Sequence, residues 1–173
     1  MNIKRKVLYT KDQIARRIKE LGVEINNNYK DEEIIVISLL RGSFIFTADL
    51  VREIDSLLAV DFMVTSSYEN NEISSGNVDI LMDHRINIKN RNVLIVDDII
   101  DSGNTMLRVY EHLVAKAPKS VKICVMLDKP SRREVDIEAD YVGFSIPDLF
   151  VVGYGLNYGE HHRNEAEIFT FER

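Results

Sequence analysis

The chain reads as an α/β protein with a mainly parallel central sheet flanked by helices, and three observations predict this. Residues 34–40, 93–96 and 121–127 are apolar runs, broken only by Ser38 and Lys122 and without strict alternation, the signature of strands buried on both faces. Each run ends in a polar or glycine-bearing turn: Arg41-Gly42-Ser43, Asp101-Ser102-Gly103-Asn104-Thr105, and Asp128-Lys129-Pro130-Ser131. Helical patterns alternate with the runs, which is the strand–helix–strand order of an α/β fold.

In chain order, residues 10–28 read as a helix. Thr10 is its cap, and Ile14, Ile18, Leu21 and Ile25 fall at helical spacing among charges. The strand 34–40 passes through Arg41-Gly42 into a second helix carrying Phe44, Phe46, Ala48, Leu50 and Val51. Residues 60–66 alternate as a strand, and 78–82 return as its antiparallel partner. Between them, 67–77 are polar with almost nothing to bury; they read either as a plain hairpin tip or as a lid that excludes water. After 93–105, the residues Met106, Leu107, Tyr110, Leu113 and Val114 trace a helical face that stops near Pro118.

Bulk composition narrows the class. At 173 residues, 45% hydrophobic and 29% charged, the chain is expected to form one globular domain over 1–173. Its 22 basic and 28 acidic residues leave a formal charge of −6, which argues against a nucleic-acid partner held by bulk electrostatics. The single Cys124 cannot form an internal disulfide and lies in an apolar run, which fits a reducing compartment. No signal peptide and no apolar run of transmembrane length are visible, so the expectation is a soluble, cytoplasmic protein without a membrane partner.

The chemistry concentrates in residues 93–105. A buried strand is followed by two adjacent carboxylates, Asp97 and Asp98, and then by Asp101-Ser102-Gly103-Asn104-Thr105 at a helix start. Ligands of open α/β sheets bind beyond the carboxyl ends of the strands, and a helix start offers free N–H groups to an anion. Three acids beside a phosphate cradle are costly unless cations or sugar hydroxyls share the site. A bland reading, a strand followed by an Asp/Ser-rich cap, fits a shorter motif better than this one. Arg41-Gly42 offers a forked cation and an unobstructed backbone to a second anion, although such turns are usually only turns. Lys129 is either a solvated loop cation or a donor to a substrate oxygen. Singly, the aromatics of 140–155 are more often core than ligand contacts. His161 and His162 lack a cysteine partner and the spacing of a zinc site.

The 93–105 stretch resembles the phosphoribosyl-pyrophosphate signature of the type I purine phosphoribosyltransferases, in the form found in hypoxanthine-guanine enzymes. Four motifs match in the right order, over about residues 5–170. The resemblance implies the type I phosphoribosyltransferase fold with a flexible lid arm (about 66–78) and a small hood built from the N-terminal segment and about 129–173. It implies transfer of 5-phosphoribosyl from phosphoribosyl pyrophosphate to N9 of hypoxanthine or guanine, giving IMP or GMP and pyrophosphate, with Mg²⁺ as cofactor. Ser102, Gly103, Asn104 and Thr105 would hold the 5-phosphate. Asp97 and Asp98 would hold the ribose and help place Mg²⁺, and Asp101 would take the N7 proton.

By the same resemblance Arg41, Gly42 and Arg163 would receive pyrophosphate, with a cis peptide between Leu40 and Arg41. Ser67 and Tyr68 would open the lid. Lys129 would contact the 6-oxo group, Phe150 would stack on the base, and the Val151 backbone would read its edge. Stacking of this kind contributes roughly 1–3 kcal/mol per base in nucleic-acid systems. Asn157, placed with the purine-binding residues, departs from the pattern: it matches an aspartate that helps hold a second, pyrophosphate-side Mg²⁺, and its amide keeps an oxygen but not the charge. The family usually assembles as homodimers or homotetramers. Two alternatives stay open, a xanthine-preferring enzyme and a nucleic-acid-binding regulator built on the same pocket.

Overall fold

A computed structural model describes residues 4–66 and 78–172. Its elements are β1 (Lys4–Tyr9), α1 (Lys11–Tyr29), β2 (Ile34–Leu40), α2 (Phe44–Val51), β3 (Leu58–Thr65), β4 (Ile80–Met82), β5 (Asn92–Ile100), α3 (Asn104–Val114), β6 (Ser120–Asp128), β7 (Tyr141–Ser145) and β8 (Ile168–Glu172). Six strands form one sheet in the order β4-β3-β2-β5-β6-β7, and β1 pairs with β8 in a separate two-stranded sheet. β3, β2, β5, β6 and β7 run parallel, and only the edge strand β4 is antiparallel.

The runs are apolar at successive positions because the central sheet is covered on both sides. Successive side chains of a strand point to opposite faces. On one face Ile34 and Val36 of β2, Leu94 and Val96 of β5, and Cys124 and Met126 of β6 pack with Ile14, Ile18, Leu21 and Ile25 of α1 and Phe46 and Leu50 of α2. On the other, Ile35, Ile37 and Leu39, then Val93 and Ile95, then Ile123 and Val125 pack with Met106, Val109 and Leu113 of α3. Burying a side chain of this size contributes roughly 1.5–3 kcal/mol, so the two-sided core dominates the stability. Cys124 is fully buried within it, and burial raises its thiol pKa, as a structural cysteine requires.

α1 begins where its sequence says it should. The Thr10 hydroxyl accepts from the Gln13 amide at 3.3 Å, and the Gln13 side chain accepts from the Thr10 amide at 2.9 Å, closing a capping box.

β5 is longer than its apolar core. It runs on through Asp97 and Asp98 to Ile100, because Ile99 and Ile100 continue the ladder to Leu127 and Asp128 of β6. The ladder to β2 stops at Ser38↔Val96, so the two acids lie just past the end of β2, beside the loop that leaves it. β1, β7 and β8 carry no periodic signal strong enough to predict from sequence. The β1–β8 ribbon joins the two ends of the chain, pairing Lys4 with Glu172 and Val7 with Phe169.

Candidate active site

Four segments meet at the carboxyl end of the sheet. The first is the loop after β2, whose Leu40–Arg41 peptide is cis, as the resemblance implies. Beneath it lies a buried hydroxyl network absent from the sequence reading. Ser38 bonds Ser43 at 2.7 Å and Thr47 at 2.8 Å, and Ser43 donates to the Leu39 carbonyl at 2.6 Å. Both serines are fully buried, so these bonds satisfy their hydroxyls and brace the turn that carries Arg41 and Gly42. A lone serine inside the apolar run 34–40 was the available signal. The Arg41 side chain is exposed.

Gly42 is the contact point for the other segments. A side-chain carbon there would overlap the Asp98 carboxylate and stand 3.5 Å from Arg163 Nη1. The Gly42 carbonyl in turn fills the space where Gly155, at φ 99°, would carry a side chain. Arg163 Nη1 donates to the Gly155 carbonyl at 2.7 Å, and the Gly155 amide donates to the Arg163 carbonyl at 2.9 Å. The tertiary structure therefore gathers Gly42, Asp98, Gly155 and Arg163. Tyr154, beside Gly155, anchors this loop to α2: its hydroxyl donates to Asp49 at 2.5 Å, and burial and Asp49 both raise the phenol pKa.

The second segment is the acid pair. The Asp98 amide donates to Asp97 Oδ1 at 2.9 Å and the Ile99 amide to Asp98 Oδ1 at 2.8 Å. Burial raises both carboxyl pKa values; Asp98 raises Asp97 further, while the backbone amide of Ile99 and the Arg163 charge partly offset the rise at Asp98. Two crowded oxygen donors with raised pKa values fit a hard cation such as Mg²⁺, which characteristically takes one or two carboxylates and completes its shell with water and substrate oxygens. Among the described residues no group of three or more His, Cys, Asp or Glu converges as a metal cluster, so the protein offers a pair rather than a cage. Asn157 is exposed and its amide donates to the Gly159 carbonyl at 2.6 Å; none of its contacts reaches the acid pair.

The third segment is the start of α3. Gly103 caps the helix at φ 88°, and a side chain there would crowd Ile137 at 2.8 Å and Arg133 and Val135 at 3.0 Å. Ser102 Oγ accepts from the Asn104 amide at 3.3 Å, which shapes the turn. The α3 start thus brings the hydroxyls of Ser102 and Thr105 together with first-turn amides, the kind of group that binds phosphate at helix N-termini.

The fourth segment carries the base-side residues. Lys129 is 7% exposed, and its ammonium stands 3.9 Å from Asp101 and 3.8 Å from Asp148. Arg132 Nε donates to Asp101 Oδ1 at 3.2 Å. Phe150 is 61% exposed, so its ring face is open to a ligand, and it meets Tyr158 edge-on at 6.0 Å. The Val151 side chain is buried, while its own amide and carbonyl bond to none of the described residues. His161 and His162 stack edge-on among the hood aromatics, and His162 bonds Glu165 at 3.2 Å. Ser67 and Tyr68 lie outside the described residues. No helix among the described residues is long and apolar enough to cross a membrane.

Comparison with known proteins shows the family and the fold. Residues 5–159 match the phosphoribosyl transferase domain family. The chain is 49% identical over 170 residues to the hypoxanthine-guanine phosphoribosyltransferase of Aquifex aeolicus, covering 98% of this chain and 96% of that one. It is 51% identical over 160 residues to the hypoxanthine phosphoribosyltransferase of Salmonella typhimurium, covering 91% and 90%. The crystal structure of a hypoxanthine-guanine phosphoribosyltransferase from Bacillus anthracis superposes with a TM-score of 0.91 at 43% identity, over 99% of this chain and all of that one.

Proposed function

This chain belongs to the phosphoribosyl transferase domain family, and on that premise we propose that it is a purine-salvage transferase, moving 5-phosphoribosyl from phosphoribosyl pyrophosphate to N9 of hypoxanthine or guanine. The observation that carries this reading is that a helix-start anion cradle, a half-buried acid pair and a buried lysine open onto one end of the sheet. Of the relatives named above, one is a hypoxanthine-guanine and one a hypoxanthine phosphoribosyltransferase, which supports this reading.

In the reaction the bond from ribose C1′ to the pyrophosphate oxygen breaks, a bond from C1′ to purine N9 forms, and the purine gives up one proton. Ser102, Gly103, Asn104 and Thr105 bind the 5-phosphate and fix the ribose in place. Asp97 and Asp98 hold the ribose hydroxyls and supply the protein oxygens for Mg²⁺. Mg²⁺ held by these oxygens would supply charge neutralisation for the pyrophosphate leaving group. Arg41, Gly42 and Arg163 receive pyrophosphate: the Gly42 backbone lets it approach, and the guanidinium groups are forked anion donors. Lys129 donates to the 6-oxo oxygen, a contact that a 6-amino group, itself a donor, cannot accept. Phe150 stacks on the base and the Val151 amide and carbonyl bond its edge. Asp101 accepts the N7 proton as N9 attacks.

The test offers the protein Mg²⁺, phosphoribosyl pyrophosphate and each base separately and measures pyrophosphate release. Release with hypoxanthine and guanine and none with adenine is expected. A larger rate with xanthine would reassign the base. No release with any base would overturn the enzymatic reading.

A further inference from the structure

The base-side residues contain a closed ring of alternating charges that the roles above do not use. Asp101 Oδ2 faces Lys129 Nζ at 3.9 Å, Lys129 Nζ faces Asp148 Oδ1 at 3.8 Å, Asp148 Oδ2 faces Arg132 Nη1 at 3.6 Å, and Arg132 Nε returns to Asp101 Oδ1 at 3.2 Å. The four members differ in their surroundings. Lys129 is buried to its tip, its side chain 9% exposed, whereas Arg132 and Asp148 are about half exposed at 52% and 55%. The neighbouring Arg133 is committed elsewhere, donating to the Asp101 carbonyl at 2.7 Å and to Asp128 at 2.5 Å.

We propose that Asp148 and Arg132 are positioning residues which hold Lys129 and Asp101 apart, so that the donor to the 6-oxo group and the acceptor of the N7 proton stay available together. This rests on the purine-transferase reading. A buried ammonium seeks an anion, and without Asp148 at 3.8 Å the carboxylate left to Lys129 is Asp101 at 3.9 Å. Were the two to close into a direct pair at about 2.8 Å, one contact would occupy both the proton acceptor and the oxo donor. The separations of 3.8 and 3.9 Å show the ammonium balanced between two carboxylates and closed on neither. Arg132 acts from the other side, drawing the Asp101 carboxylate by its opposite oxygen. The ring also has a built-in exit. An incoming base offers its oxo oxygen to Lys129 and its N7 hydrogen to Asp101, and Asp148 and Arg132, open to water, keep each of the two charges compensated.

The substitutions Asp148→Asn and Arg132→Gln each remove one restraint and leave Lys129 and Asp101 intact. In steady-state assays, Asp148→Asn is expected to raise KM for hypoxanthine by roughly tenfold, the scale of coupling between contacting groups. KM for phosphoribosyl pyrophosphate is expected to stay unchanged, because none of the ion pairs of the ring involves Ser102, Gly103, Asn104 or Thr105. Asp148→Glu, which keeps the charge, restores most of the loss. In a Lys129→Met background, Asp148→Asn should cause no further loss, because its effect runs through the lysine. A crystal structure of Asp148→Asn provides a readout independent of turnover, with Lys129 Nζ expected at about 2.8 Å from Asp101. A full additional loss in the Lys129→Met background would mean that Asp148 acts on the base directly, and overturns the proposal. So does a crystal structure in which Lys129 keeps its separation from Asp101. Absence of pyrophosphate release by the unaltered protein in the same assay would instead overturn the transferase reading, while the crystallographic distance still decides the ring.

Discussion

Gly42 sits against Asp98 so closely that no side-chain carbon fits between them. The loop after β2 and the acid pair of β5 are thus one unit, although they belong to different strands. Gly42→Ala must displace the carboxylate or the loop. A shift of about 1 Å in such a site can reduce turnover on the order of 100-fold. That loss in pyrophosphate release is expected together with an unchanged far-ultraviolet circular dichroism spectrum. Wild-type turnover in the variant would show that the contact is incidental.

Asp101 faces the site with two cations near its carboxylate, Arg132 at 3.2 Å and Lys129 at 3.9 Å. Asp101→Asn keeps the shape and loses the proton acceptor. Calorimetric binding of phosphoribosyl pyrophosphate should persist while turnover falls roughly 10²–10⁴-fold, the range for loss of a general base. Unchanged turnover would remove Asp101 from proton transfer.

Asn157 donates to the Gly159 carbonyl at 2.6 Å, a bond that an aspartate cannot make. Asn157→Asp exchanges that bond for a negative charge at position 157. The half-saturating Mg²⁺ concentration for turnover should fall, at a cost in thermal stability of no more than about 1 kcal/mol. Identical Mg²⁺ dependence would exclude position 157 from the metal's surroundings.

Asp83 ties the segment after β4 to α3. Its Oδ2 accepts from His112 at 2.8 Å and from Lys116 at 2.7 Å, and its Oδ1 accepts from the His84 amide at 2.8 Å. Burial opposes ionisation, but the bonds from Lys116, His112 and the His84 amide outweigh it and hold the carboxyl pKa at about 2. A pKa depressed in the folded state contributes stability above the unfolded value and loses it as pH falls through the folded one. Melting temperatures of the wild type and Asp83→Asn should therefore differ at pH 5, converge as pH falls below about 4 and coincide near 2. The contribution is small, since Asp83 is 39% exposed and screened by water. A difference that persisted undiminished at pH 2 would mean that the carboxylate charge is not its source.

Much of this protein could be read from its residues in order. The strands at 34–40 and 121–127, the capped helix at Thr10 and the cradle at Ser102, Gly103, Asn104 and Thr105 all follow from local rules, because apolar runs, caps and helix starts are properties of neighbouring residues. The acid pair and the lysine after a strand were likewise visible as chemistry awaiting a site. Tertiary structure alone decided which of these residues meet. Gly42, Asp98, Gly155 and Arg163 come from three separate segments, and their contact depends on β5 lying beside β2 and on the hood loop folding back over both. The ribbon of β1 and β8, the serine network under the loop and the ring of Asp101, Lys129, Asp148 and Arg132 have the same origin. Strand order and loop return are set by how two faces of one sheet are covered at once, and no periodicity within a single segment records that.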